Sequence, residues 1–208
     1  MFAKNLKYYR LKKNLTMSEL ARQVLISPMA ISYYEKGKRM PDLPILKLLA
    51  RVLEVKVSDF LAVRNINLVF SHGEFRKNTK LAKGQQDFVR EAVEEYFSRF
   101  FTVVELLGGE VLPQAPRCHV LKVSKDFEKD AQALRIHLKL AKDGPLDNLI
   151  QILENKGILV YICQIDNNKF SGMNGLINGR PYIVLNGRMT PERNRSTLVH
   201  ELAHLMFI

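Results

Sequence analysis

Apolar positions recur at helical spacing through most of the first sixty residues. Ala3 to Lys13 carries Leu6, Tyr9 and Leu11 among many cations. Thr16 is placed to cap a second helix, with Glu19 three residues on to complete a capping box. Leu20, Ala21 and Val24 form that helix's inner stripe. Ser27 before Pro28 signals a third start, because Pro at the first helical position gives up no hydrogen bond. Ile31 and Tyr34 fall on its inner side, and Gly37 stops it. Asp42 or Leu43 begins a fourth helix, with Leu46, Leu49, Ala50 and Leu53 pointing inward. Ser58-Asp-Phe-Leu61 opens a short fifth. The pattern predicts five short helices within residues 3–62.

The pattern then changes. Residues 63–83 read as a connector in which Val69-Phe70 and Phe75-Arg76 are islands among polar residues. Gln85 to Leu107 is amphipathic, with Phe88, Ala92, Tyr96 and Phe100 spaced by four and Val89, Val93 and Phe97 beside them. Gly108-Gly109 ends it. Core packing accounts for this stripe without a ligand groove. Helices are expected from Ser124 through Lys142 and from Pro145 through Lys156, closed by Gly144 and Gly157. Ile158 to Cys163 is β-branched and apolar. Phe170 to Leu176 and Tyr182 to Leu185 flank Asn178-Gly179, a hairpin turn signal. Pro191 then opens a last helix. Helices, three strands and a final helix predict an α+β domain with a small sheet.

The charge is uneven. Residues 1–64 hold 13 Lys/Arg and 5 Asp/Glu, so +8 of the chain's net +11 lies in the first third. That concentration is the footprint of a nucleic-acid-binding module. The N-terminus has charge but no following apolar stretch, so no signal peptide is expected. No apolar run approaches membrane-spanning length. Cys118 and Cys163 are too few and too isolated for a disulfide framework or a cysteine-based metal site. Both are expected to be reduced thiols in a cytoplasmic protein.

The final helix contains His200-Glu201-Leu-Ala-His204. Imidazoles four apart lie one turn above each other, so both can reach one metal ion. Glu201 sits about 100° around the helix from His200, where a carboxylate can work on the attacking water. Leu198, Val199, Leu202, Leu205 and Met206 make the helix largely apolar, so its imidazoles are expected to be buried and partnered. A catalytic zinc needs three protein ligands and this motif supplies two. His72, His119, His137 and Asp166 have no helpful spacing. The run stops on Leu205-Met-Phe-Ile208 with no cap, Gly or Pro. Unsatisfied carbonyls and an incomplete chain are therefore expected there, and zinc is expected to bind this chain weakly or not at all.

Ser18-Glu-Leu-Ala21, Ile26-Ser-Pro28, Ile31-Ser-Tyr-Tyr-Glu35, Gly37, Arg39, Pro41 and Leu49-Ala50…Leu53 resemble the helix-turn-helix domain of Xre/Cro-type regulators. In that family an Arg of the first helix pairs with a Glu ending the third, and Arg10 and Glu35 fit those places. The resemblance implies double-stranded DNA as partner, with the third helix in the major groove. The implied DNA-facing residues are Met17, Ser27, Pro28, Met29, Ala30, Ser32, Tyr33, Lys36, Lys38 and Arg39. Ser32 and Tyr33 suit base edges, Met29 and Ala30 suit thymine methyls, and Lys36, Lys38 and Arg39 suit phosphates. A domain used only for protein contacts or for a homodimer is the alternative. The turn between the second and third helices carries Leu25 where the family has Gly, a left-handed position that costs Leu on the order of 1 kcal/mol.

Leu153-Glu-Asn-Lys-Gly157-Ile-x-Val160, Ser171-Gly172, Pro181-x-Ile183-x-Leu185-Asn186 and Arg195-x-Thr197-x-x-His200-Glu-Leu-Ala-His204 resemble the ImmA/IrrE family of zinc metallopeptidases, in order and spacing. Ser196 departs from the aromatic residue common before the Thr. The resemblance implies a zincin-like domain over residues 85–208, joined through a connector at 65–84 to an all-α, five-helix DNA-binding domain at 1–64. It implies a bacterial or phage-element transcriptional regulator whose zinc endopeptidase domain cleaves a helix-turn-helix repressor. His200 and His204 would hold zinc, Glu201 would be the catalytic base, and the strand at Ser171-Gly172 would pair with an extended substrate. The third ligand in that family is a Glu beyond the signature. A regulator whose peptidase-like domain only senses or dimerises stays open beside this reading.

Overall fold

In the computed structural model, residues 1–63, 67–72, 81–109, 111–167 and 169–208 are described; Phe75-Arg76 lies outside them. The contacts divide into two compact units, Met1–Ile66 with Ala82–Arg99 and Asn67–Leu81 with Phe100–Ile208.

The first unit contains five helices in order, α1 (Phe2–Lys12), α2 (Met17–Gln23), α3 (Pro28–Glu35), α4 (Leu43–Leu53) and α5 (Val57–Leu61). Their starts are set by side chains. Thr16 Oγ1 accepts from the Glu19 amide while the Glu19 carboxylate accepts from the Thr16 amide. Those two bonds hold the Glu19 carboxyl below its usual pKa, with the contact to the Thr16 backbone the larger cause. Ser27 Oγ and Asp42 Oδ1 cap α3 and α4 by accepting from the Ala30 and Ile45 amides. Leu25 takes the left-handed conformation at φ 55 and is 89% exposed, so its side chain gains nothing by packing. Leu6, Leu20, Ile31, Leu49, Leu53 and Phe60 make a single core. Asn5, which the apolar pattern does not single out, is buried and donates to the Phe60 and Ala62 carbonyls, tying α1 to the end of α5.

Helix α6 (Lys83–Leu106) contributes its first half to this unit. There Lys4 and Lys7 of α1 pair with Glu94 and Glu91, and Tyr8 stacks on Phe88. Val89, Ala92, Val93 and Phe97 are its buried stripe, whereas Tyr96 is exposed.

The second unit has a mixed four-stranded sheet in the order β1-β3-β4-β2. The strands are β1 (Phe70–His72), β2 (Leu159–Cys163), β3 (Gly172–Ile177) and β4 (Arg180–Asn186). Strands β3 and β4 form the expected hairpin, with Asn178 and Gly179 both at positive φ as its turn requires. Strand β2 lies parallel to β4. The expectation of three strands is short by one. Strand β1 comes from the assumed connector and pairs antiparallel with β3. Three residues carry too little alternation to register as a strand.

Helix α7 (Phe127–His137) is shorter than the predicted span. It closes where Lys139 turns left-handed and the Leu140 amide reaches back to the Arg135 carbonyl. The Arg135 guanidinium then holds the Ala141 and Gly144 carbonyls, which stabilises a loop instead of a further turn. Helix α8 (Leu149–Asn155) likewise starts after Asn148, not at Pro145, because Asn148 is itself left-handed. Helices α8 and α9 (Pro191–Met206) cover one face of the sheet. Leu149, Leu153, Leu198, Leu202, Leu205 and Met206 bury there against Val160, Ile183 and Leu185.

The end of α9 overturns the expectation of unsatisfied carbonyls. The His119 amide donates to Leu205, the Val120 and Leu121 amides donate to Met206, and the Ile208 amide returns to the Leu121 carbonyl. Phe207 is extended and bridges Leu121. An irregular segment earlier in the chain therefore does the work of a cap.

The Arg10–Glu35 pair is the interaction that most constrains the first unit. Both side chains are nearly inaccessible, at 6% and 3%. The guanidinium donates to both carboxylate oxygens and to the Leu15 carbonyl. Glu35→Ala leaves a buried, half-partnered cation and is expected to cost about 3–5 kcal/mol, whereas Arg10→Met with Glu35→Leu together is expected to be close to neutral. Native-state amide exchange at Leu20 and Leu49 reads both.

Candidate functional site

Thr190 caps α9 by accepting from the Arg193 amide, and Pro191 takes the first helical position. The helix then runs across β3 and β4. The approach is close at one point. A Cβ on Gly172 would sit 2.6 Å from Thr197 Cγ2 and 2.6 Å from the Val184 carbonyl oxygen. Only glycine fits there, and that fixes the height of the helix over β3. Gly172 thus has a packing role whatever else its strand does.

This seating decides how the motif residues point. His200 and His204 face solvent, which corrects the expectation that they are buried. Val199, counted with the apolar face, is also exposed at 46%. The stripe that enters the core is Leu198, Leu202, Leu205 and Met206. The buried member of the motif is Glu201, at 8% exposure. Its carboxylate Oε2 accepts a 2.7 Å hydrogen bond from Asn174 Nδ2 on β3. Sequence reasoning missed Asn174. The available signal was a polar residue on the alternate positions of β3 that face α9, where an apolar one is the default.

The two imidazoles converge. His200 Nε2 and His204 Nε2 lie 3.0 Å apart, with ring centroids at 4.6 Å. Zinc–nitrogen distances of about 2.0–2.1 Å at a tetrahedral angle would put two ligand nitrogens about 3.3 Å apart. The pair therefore fits two corners of a tetrahedral site with a small adjustment. Among the described residues no group of three His, Cys, Asp or Glu is gathered to complete one. His119 Nδ1 lies against the Phe207 carbonyl, His137 Nε2 against the Arg117 carbonyl, and Asp166 pairs with Arg188. Cys163 is buried and Cys118 half-buried, both unpaired, and burial pushes both thiols up.

Around the motif, Ser171 Oγ accepts from the Arg193 guanidinium. The Ser171 carbonyl accepts from the Asn186 amide, so ladder parity turns the backbone of Gly172 and Asn174 away from β4. A cavity of about 450 Å³ lies between the starts of α8 and α9, walled by Leu149, Ile162, Leu185 and Leu198. None of the three motif residues lines it, so the candidate site is the open face of α9 and not that cavity.

In the first unit, Ser27, Pro28, Met29, Tyr33, Lys36, Lys38 and Arg39 are exposed in and after α3. Lys38 Nζ stands 5.9 Å from the Tyr33 ring centroid. Ser32 is half-buried. Met17 and Ala30 are half-buried against the core, so their availability to a partner is limited.

These features place the chain in a class. A helix-turn-helix family model matches residues 6–60, and the model of the IrrE N-terminal-like domain, a peptidase family, matches residues 153–207. An HTH-type transcriptional regulator of Methanocaldococcus jannaschii is 41% identical over 54 residues, 26% of this chain and 82% of that protein. One from Archaeoglobus fulgidus is 39% identical over 54 residues, 26% of this chain and 76% of that protein. The HTH-type transcriptional activator BcrR of Enterococcus faecalis is 33% identical over 79 residues; the match spans 38% of this chain and 38% of BcrR. Among solved structures, SinR in complex with DNA is 28% identical, covering 30% of this chain and all of that one, at a TM-score of 0.29. The chain belongs to the HTH-type transcriptional regulators and joins that domain to an IrrE N-terminal-like, peptidase-family domain. Among the described residues no helix is long and apolar enough to cross a membrane.

Gly172→Ala forces its Cβ into Thr197 and the Val184 carbonyl. Overpacking of this kind is expected to cost about 1–3 kcal/mol and to lower the melting temperature of the second unit. Thr197→Ser added to it removes one of the two clashes and should restore part of the loss in the same melt.

Proposed function

We propose that the chain is a DNA-binding regulator whose second domain is a zinc endopeptidase acting on a helix-turn-helix repressor. The observation that carries the second half is the convergence of His200 and His204 Nε2 at 3.0 Å on the exposed side of a helix that holds Glu201 on its buried side. Two imidazoles aimed at one point beside a fixed carboxylate are what metal-assisted peptide hydrolysis needs. Bound zinc would polarise the scissile carbonyl and the attacking water. His200 and His204 would hold it. Glu201 would take the proton from the attacking water and deliver it to the leaving amine. The Ser171-Gly172 end of β3 would lay an extended substrate alongside the site by backbone pairing.

For DNA, the exposed face of α3 enters the major groove. Tyr33 and Ser32 read base edges, Met29 and Ala30 meet thymine methyls, and Lys36, Lys38 and Arg39 hold phosphates, with Met17, Ser27 and Pro28 at the groove's rim. Tyr33→Ala is expected to lower the preference among sequences. Lys38→Ala is expected to weaken binding to all of them and to reduce the salt slope by about 1. Gel shifts at several salt concentrations separate the two effects, and binding to no DNA under any of them refutes the reading.

A second reading keeps the DNA-binding regulator and gives its second domain no peptidase activity. On it, the second domain senses or dimerises without hydrolysis. Zinc stoichiometry after dialysis against a mild chelator, and cleavage of candidate repressors with zinc or manganese, decide between the two. The endopeptidase predicts cleavage that Glu201→Gln abolishes while metal is kept, because the amide cannot accept the water's proton. His204→Ala should lose metal and cleavage together. A chain that holds no zinc and cleaves nothing supports the sensor.

A further inference from the structure

Glu201 can serve as a base only if one carboxylate oxygen is held toward the imidazole pair. A glutamate has three side-chain torsions, and α9 alone fixes none of them beyond its preferred rotamers. The 2.7 Å bond from Asn174 Nδ2 to Oε2 supplies a constraint from outside the helix. It comes from a different element, the third residue of a strand whose distance from α9 is set by the Gly172–Thr197 contact. Asn174 sits two residues from Gly172, on the same face of β3. The strand's closest approach to the helix therefore also brings this amide to the carboxylate. The bond is an amide N–H donated to a carboxylate, and it holds Oε2.

We propose that Asn174 is the positioning residue for the Glu201 carboxylate, orienting it from the sheet without touching metal or substrate. The role rests on the peptidase reading for its use in catalysis, while the contact between Asn174 and Glu201 stands apart from that reading.

The test uses the full chain with three substitutions at this position. Asn174→Ala deletes the donor. Asn174→Asp keeps the shape but replaces the donor with a like charge. Asn174→Ser is smaller, keeps a hydroxyl donor and guards against a folding defect at the strand. A crystal structure of metal-free Asn174→Ala should show the Glu201 carboxylate displaced or in several rotamers. A carboxylate still in its parental position overturns the proposal whatever the chain cleaves. In the repressor-cleavage assay, Asn174→Ala should lower kcat by roughly ten- to a hundredfold, the span of a lost charge-assisted hydrogen bond or a misplaced catalytic group. KM and zinc content should stay at parental values, and Asn174→Asp should be slower still. Glu201→Gln combined with Asn174→Ala should be no slower than Glu201→Gln alone, because a carboxamide side chain that is no base gains nothing from being aimed.

The failures are distinct. If Glu201→Gln is inactive and Asn174→Ala cleaves at the parental kcat, the positioning role falls and the peptidase reading stands. If Asn174→Ala loses zinc or shifts KM as much as kcat, the residue is structural and the proposal is overturned. If Glu201→Gln cleaves like the parent, or the parent cleaves nothing, the peptidase reading falls and takes the catalytic use of Asn174 with it.

Discussion

The second unit is organised around one steric constraint, the absence of a side chain at Gly172. Thr197 and the Val184 carbonyl oxygen occupy the space a Cβ would need, each at 2.6 Å. Helix α9 therefore lies lower on β3 than any other residue would permit. The orientation of the motif residues follows from that depth. Leu198, Leu202 and Leu205 reach Val160, Ile183 and Leu185 and exclude water. Glu201 comes within hydrogen-bond distance of Asn174. The imidazoles are left on the far side, in solvent, pointing at each other. A helix raised by the thickness of a methyl group would keep the same sequence and lose the bond between sheet and carboxylate.

Asn186 plays a comparable part at the end of β4, next to that contact. It is fully buried, yet all of its polar atoms are used. Its carbonyl oxygen accepts from the Ile165 and Arg188 amides, and its amide donates to the Asn167 and Phe170 carbonyls. A single side chain thus satisfies four backbone groups in the loops after β2 and β4, where no ladder is available to do so. Burying it unpartnered would be costly, and fully partnered it fixes the approach to β3 on one side and to α9 on the other.

Much of the architecture was legible because local chemistry announces it. Thr16, Ser27 and Asp42 cap the helices whose starts they mark, and Asn178-Gly179 makes the turn its dihedral needs demand. The His-Glu-x-x-His spacing gives the convergence of two imidazoles by helix geometry alone. What was not legible depends on partners far away in the chain. Strand β1 exists because β3 offers it an edge, not because three residues prefer to be extended. Helix α7 ends where Arg135 finds better acceptors in Ala141 and Gly144. The exposure of His200 and burial of Glu201 follow from which side of α9 meets the sheet, and a helix apolar on most of its circumference does not reveal that. Asn174 is polar in a strand, and its meaning appears only with its partner 27 residues away.

The amides of residues 119–121 that close the end of α9 have a bearing on the order in which the molecule assembles. Their acceptors, the Leu205 and Met206 carbonyls, are more than eighty residues downstream. The first unit, by contrast, closes mostly through neighbouring helices, together with the first half of α6. Short-range helical contacts form quickly, and contacts that must wait for long loops to close form slowly. On a ribosome the first unit has all its residues once position 99 has emerged. The second has to hold the 119–121 segment, four strands and their apolar faces in an unfinished state until α9 arrives. During that interval the edges of the sheet and the surface later covered by Leu198, Leu202 and Met206 are open to wrong partners, so the young chain's exposure to aggregation is concentrated in the peptidase-family half.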